Sequence, residues 1–431
     1  SPSFNKSGFQ ALLSARTEPA WVSAQRRAAW AMFEEKAWPA RNEEEWIRTD
    51  IRLFKLDAFT LPVAPPAGSA ETLPSLLATG VELAGYSHTL DSHRVASHLD
   101  EKWAAKGVIF GTLDEVLATH GDKLEPHLFQ HGFKPGYDKF AALHAACHSG
   151  GHVLYVPRGV VIEQPFHLLS SLTNGGVDLG HTLIVLEDGA EATVMSENSS
   201  LDGTHNGLHI GGVEIYLAPG ANLRFVKLQD WSQNVWDFAH QKVKVDRDAN
   251  LQWTVAALGG RLSKVNQTVE LIGAGARCQV NGVLFTEGKQ HVAYHTLQHH
   301  MAPHCTSDFL YEAALQDKSR TVWRGLIKVD HAAQKTDGYQ RNDNLLLSNT
   351  CRADSIPGLE INADDVRCTH GSTSGKVDEE LIFYAQCRGL TRKEAIRVIV
   401  SGFFQQVFDR ITIESVRDAL SQALAKRVRD V

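Results

Sequence analysis

Four stretches in the middle of the chain, EDGAEATV (187–194), APGANLRF (218–225), DRDANLQW (246–253) and GAGARCQV (273–280), read as one unit repeated. Aligned on Ala190, Ala221, Ala249 and Ala276 they stand 31, 28 and 27 residues apart, and each joins a small-residue corner to an alternating polar and apolar run. Corners such as Asp188-Gly189 and Pro219-Gly220 accept tight backbone turns. A single short strand cannot bury its apolar face alone, so stacked copies must supply the core, and a period of this length predicts a solenoid. The spacing favours a β-helix over a propeller, whose blades take about 40 residues or more.

Outward from these units the same alternation runs from about Gly151 through HVLYVPRGVVI, HTLIVLEDG, HQKVKVDRD, KVNQTVELIGAG and TVWRGLIKVD, β-branched runs cut by Gly, Pro, Asp and Asn. Before it, Phe9 to about Trp46 is helical in pattern and breaks near Trp38-Pro39. A Pro/Ala/Gly linker covers 61–74, and residues 75–150 mix helical stretches such as LDEVLATHGDKLEPHLFQ with short strands. After it, DEELIFYAQCRG is a helix with acids in its first turn and Gly389 past its end. Thr391 and Glu394 have capping-box spacing. They open a helix with a broad apolar face of Ile396, Ile399, Val400, Phe403, Phe404 and Val407, and a last helix from about Glu414 to Val428 carries Val416, Leu420 and Leu424. The expectation is a mainly β chain: a mixed helical region 1–150, a β-helix core 151–370 and a domain of three helices, 371–431.

Composition narrows the function classes. The 431 residues carry a formal charge of −7, with a pI near 6.3. Such a balance argues against nucleic acid or an anionic membrane as partner. No apolar run approaches the roughly 20 residues of a membrane span, and SPSFNKSGFQ has no basic region followed by a hydrophobic stretch. Six cysteines without a CxxC pair fit a reducing cytoplasm better than a disulfide framework. The string GxxxxGK[ST], which wraps backbone amides around phosphates, is missing, so nucleotide hydrolysis would have to come from another subunit.

Three places carry donor chemistry. His291, His295, His299, His300 and His304, followed by Cys305, supply imidazole and thiol suited to zinc or iron. On a strand, however, His291, His295 and His299 take one face while His300 and His304 take the other, so a polar strand surface is the plainer reading. Cys368 and His370, two apart in an extended segment, point the same way and offer half of a metal site. Asp364 and Asp365 with Arg367 are the one dense charged group that a β-helix carbohydrate enzyme would use, although paired turn aspartates are more often structural.

The run HHMAPHCTSDFLYEAAL (299–315), followed by RGLIKV, KTDG, NDNLLLS, ADSIPGLEINADDVRCTHGSTSG and FYAQCRGL, resembles the SufB/SufD family of iron–sulfur cluster assembly proteins. The resemblance extends from about Tyr155 to Phe408 and returns faintly at PARNEEEWIRTD (39–50). It implies a right-handed parallel β-helix that works with a SufB-like homologue and the ATPase SufC, building a transient iron–sulfur cluster for acceptor proteins. It also implies that the C-terminal helices dock SufC, which makes Ile396, Ile399, Val400, Phe403, Phe404 and Val407 candidate contacts. SufB-type chains carry a cysteine where Asn342 stands, whereas the tract around His370 is similar to SufD. His370, with Cys368 beside it, is therefore the implied contact to a cluster shared with SufB, in a subunit that is not itself an enzyme. A purely structural partner, a homodimer of the isolated chain and flavin binding are left open by the residues.

Overall fold

The computed structural model describes residues 2–66 and 73–428, so the expected linker 61–74 falls partly outside the described residues. The small-residue corners do what their composition requires. Gly189, Gly220, Asp248 and Gly275 each take a left-handed φ, between 55° and 74°, one residue before the aligned alanine. All four alanines are fully buried, and each carbonyl accepts the amide that opens the next coil: Asn222 N to Ala190 O at 2.9 Å, Asn250 N to Ala221 O at 2.9 Å, Arg277 N to Ala249 O at 3.0 Å and Thr306 N to Ala276 O at 3.0 Å. The repeat continues past the units legible in sequence. His304 (φ 59°) and Lys335 (φ 55°) hold the corner position in the next two coils, and buried Cys305 stands in the place of alanine.

Two parallel sheets result, each of eight stacked strands. One contains Phe166–Leu172, Glu191–Ser200, Asn222–Asp230, Asn250–Ala257, Arg277–Thr286, Thr306–Leu315, Thr336–Leu346 and Val366–Lys376. The other contains Gly151–Val156, His181–Leu186, Asn206–Leu217, Asn234–Val245, Leu262–Leu271, His291–His300, Arg320–Val329 and Arg352–Ile361. Because register is kept from coil to coil, like positions stack: Phe225, Trp253, Val280 and Phe309 form one buried interior row. Burying each such side chain contributes roughly 1.5–3 kcal/mol. The mainly β solenoid that the period predicted is thus the observed architecture.

Helices cover both outer faces. Lys6–Ser14, Ala20–Glu35 and Lys139–Cys147 pack through an aromatic cluster on the second sheet, where Phe140 stacks on Phe238 with ring centroids 3.9 Å apart. On the first sheet lie Glu379–Cys387, Arg392–Phe403, Gln405–Arg410 and Glu414–Arg427. Among the described residues four helices, rather than three, follow the last strand: the apolar stripe through Val407 is divided at Phe404, which caps one helix and opens the next. The capping box of Thr391 and Glu394 is formed, and Gly389 has the left-handed φ of 94° expected past a helix end.

The region 75–150 is where the structure adds most. An antiparallel hairpin, Gly85–Leu90 with His93–Leu99, joins the first sheet in parallel to Phe166–Leu172, and Ile109–Thr112 pairs antiparallel with Gly151–Val156 in the second. Together they cap one end of the solenoid from outside the span 151–370. At the other end the last strand runs on to Lys376, so the boundary with the helices falls after 376 rather than at 370.

Candidate functional site

The end opposite the hairpin cap is bare. Arg352–Ile361 pairs only with Arg320–Val329, and Val366–Lys376 only with Thr336–Leu346, so both sheets finish with a free strand edge at the same end among the described residues. Most residues of these two strands are exposed or half-buried, unlike those of every inner coil. Unpaired amides and carbonyls on a long edge are a template for another strand, and proteins usually blunt or cover them.

Cys368 and His370 sit on this last strand, opposite Gly338 and Gln340 of its neighbour. Gln340 donates to Gly325 O and Gly358 O across the solenoid interior, which shows that this row faces inward. Cys368 is half-buried against Ile327, Val329 and Ala333, and His370 is exposed at the mouth. Gly338 matters here: a Cβ on it would lie 3.4 Å from Cys368 Sγ and 3.4 Å from His300 Nε2. The thiol and the imidazole would thus both touch a methyl placed there, whose tightest neighbour would be Ile327 Cγ2 at 3.1 Å. Burial pushes the Cys368 thiol above its ordinary pKa, so a metal would have to displace its proton. His300 is fully buried, within hydrogen-bonding distance of Ser307 Oγ (2.7 Å) and Thr336 Oγ1, and burial pulls it down to about 4, keeping it neutral.

Asn342 lies two residues beyond Gln340 on the same inward row. Its amide donates to Tyr311 O at 3.2 Å and exchanges hydrogen bonds with Asn344, which in turn donates to Ser374 Oγ at 3.0 Å. An amide ladder thus holds Asn342 in place.

The histidine cluster does not converge. His291, His295 and His299 face outward as the alternation implied, His300 faces inward, and His304 is an exposed corner residue. The outward row is covered by the N-terminal segment: Thr49 Oγ1 meets His291 Nε2 at 3.3 Å and Glu45 lies 3.7 Å from His295 Nδ1. His299 pairs with Asp330 at 2.9 Å. PARNEEEWIRTD is therefore the strip that straps this face, with Trp46 buried beneath Lys264. Cys305 is buried and donates to Gly273 O at 3.3 Å. Asp364 and Asp365 form the bend between the last two strands, where Lys335 N bonds to the backbone carbonyl of Asp365. Among the described residues no group of three or more His, Cys, Asp or Glu side chains is arranged to hold a metal ion.

The helical candidates divide. Ile396, Val400, Phe404 and Val407 are fully buried against Leu228, Phe285 and Leu310 of the solenoid, so their apolar face belongs to the chain's own core; Ile399 and Phe403 are half-buried. The apolar surface these helices leave free is one that the periodicity reading missed: Leu381, Phe383, Tyr384, Leu390 and Val398, with Phe383 68% exposed.

The fold is a parallel β-solenoid capped at one end and open at the other, with a thiol and an imidazole on its last coil. The family model for the SUF system FeS cluster assembly SufBD core domain matches residues 169–403, and that for the SufBD protein N-terminal region matches residues 9–168. The chain is 28% identical over 336 residues to the iron–sulfur cluster assembly protein SufB of Bacillus subtilis, covering 77% of this chain and 71% of that one. It is 30% identical over 296 residues to an iron–sulfur cluster assembly SufBD family protein of Mycobacterium tuberculosis, covering 67% and 73%. A SufBD family protein of Staphylococcus haemolyticus is 27% identical over 336 residues, at 77% and 71% coverage. The chain belongs to the SufBD family, proteins of iron–sulfur cluster assembly, as its motifs implied.

Proposed function

We propose that this chain is the SufD-type subunit of a SufB–SufC–SufD scaffold, a partner that completes a nascent iron–sulfur cluster at its open end without turning over a substrate of its own. The observation that carries this reading is the placing of Cys368 and His370 on an unpaired last coil with too few donors for a metal site. A SufB-type homologue laid along the same edge would supply the remaining ligands. Asn342, in its amide ladder, supports the SufD assignment because it removes the thiol that would accept sulfur. A cluster held between two chains can be released when the interface moves, which a closed four-thiolate cage does not allow. The nucleotide chemistry belongs to SufC, docked on the exposed strip Leu381, Phe383, Tyr384, Leu390 and Val398, and the unpaired cysteines fit a reducing cytoplasm. Co-expression with SufB- and SufC-type proteins, anaerobic purification and iron and sulfide analysis test it. His370→Ala should leave the complex assembled but cluster-poor. A complex with unchanged iron and sulfide would refute the role given to His370.

A further inference from the structure

The outer face of the second sheet holds a cleft that the scaffold role does not use. Its floor is built by register: His240, Asn266, His295 and Arg324 form one row across four adjacent strands, and Lys242, Thr268, Leu297 and Leu326 form the next. Its roof is Phe133, Lys134 and Tyr137 from the loop before the helix Lys139–Cys147, with Glu45 from the N-terminal strap. The cleft is open to solvent on one side and offers about 240 Å³. That is room for a small molecule, a little below the 300 Å³ or so at which drug-sized pockets begin.

The lining decides the chemistry. Among the described residues Glu45 is its one carboxylate, and Tyr137 already donates to it at 2.7 Å, with Lys264 Nζ 3.9 Å away. Three cations line the same space. Arg324 binds Glu44 through Nη2 at 2.6 Å but its buried Nη1 has no partner; Lys242 reaches Glu270 at 2.5 Å; Lys134 is exposed and forms no ion pair among the described residues. Gly132 lets the loop lie directly on the stems of Lys242 and Lys244, since a Cβ there would be 2.8 Å and 3.3 Å from their Cε atoms. The stems of two lysines thus pass directly beneath this loop. Burial draws the Lys242 pKa below its ordinary value; its ion pair with Glu270 opposes that shift, and the lesser repulsion from Lys134 and Lys244 adds to it. Leu297 and Leu326 on the floor and Phe133 in the roof supply its apolar surface.

We propose that this cleft binds a small organic anion, its phosphate or carboxylate held by Lys134, Lys242 and Arg324 and its apolar body laid on Leu297 and Leu326 under Phe133. Phenyl phosphate and phenylacetate are suitable probes, with benzyl alcohol as the neutral control, in calorimetric titration and saturation-transfer NMR on the full chain. Saturable binding of either anion, one per chain, is the expected result, and which anion binds tighter names the acidic group. Lys242→Met and Arg324→Met should each weaken it by at least about tenfold, the value of one charge-assisted hydrogen bond. Lys134→Ala, at an exposed position, gives the same direction of change where a floor variant unfolds. Equal binding of benzyl alcohol, no saturable binding of either anion, or affinity unchanged in variants that melt like the parent would overturn the proposal.

Discussion

Replacing Phe404 and Phe383 by alanine separates what the C-terminal helices do for the fold from what they offer a partner. Phe404 is fully buried, with ring centroids 5.0 Å from Phe403 and 6.1 Å from Phe408, inside the cluster that seats the helices on Leu228, Phe285 and Leu310. A buried Phe→Ala change costs about 3–5 kcal/mol, from lost transfer energy plus the cavity left behind. Phe383 is 68% exposed, and its loss should change stability by no more than about 0.5 kcal/mol. Hydrogen exchange on the isolated chain should therefore show faster opening of Arg392–Phe403 and Glu414–Arg427 in Phe404→Ala and parental rates in Phe383→Ala. Capture of a SufC-type ATPase should weaken in Phe383→Ala despite its intact fold. The reasoning fails if Phe404→Ala exchanges like the parent while losing capture, since Phe404 would then be a partner contact.

Glu312, buried beneath the helix Gln405–Arg410, is pushed up to about 7 by burial and by Asp343 in the adjoining strand. A raised carboxyl pKa means that the folded chain binds the proton more tightly than the unfolded one. Stability is then present at low pH and falls as pH rises from about 4.5 through 7. Glu312→Gln should flatten that fall and exceed the parent above pH 7 by up to about 3 kcal/mol in denaturant titrations; a parallel pH profile would refute the assignment. Arg26, fully buried, bonds Glu18, Ala146 O and His148 O, so Arg26→Met should cost about 3–5 kcal/mol by leaving Glu18 unpaired. An unchanged urea midpoint would contradict this. Gly282→Ala should destabilise the core, because the new methyl would sit 2.2 Å from the Tyr311 ring, and a calorimetric scan matching the parent would count against that packing.

How much was legible in the chain follows from what each pattern encodes. The alanine corners and the capping box are short-range geometry, so they were readable as strings. The coil ending in His304-Cys305 was not read as a repeat because cysteine replaces alanine and histidine takes a left-handed φ usually given to glycine. Alternation placed His291, His295 and His299 on one face, but that Thr49 covers His291 from 242 residues away is a long-range fact no local pattern holds. The stripe Ile396–Val407 announced a buried face without saying what buries it, and the solenoid itself proved to be the partner for most of it. Cys368 and His370 were picked out by spacing and by resemblance. Their position on an uncapped coil depends on where the stack stops, and the hairpin that caps the opposite end has no period to betray it.

The open edge is the heart of this account, and backbone amide exchange on Arg352–Ile361 and Val366–Lys376 tests it most directly, comparing the isolated chain with its complex with a SufB-type homologue. Strong protection of both strands on complex formation, with the hairpin-capped end unchanged, is the predicted outcome. A stable complex in which these amides exchange as fast as before would show that the partner sits elsewhere.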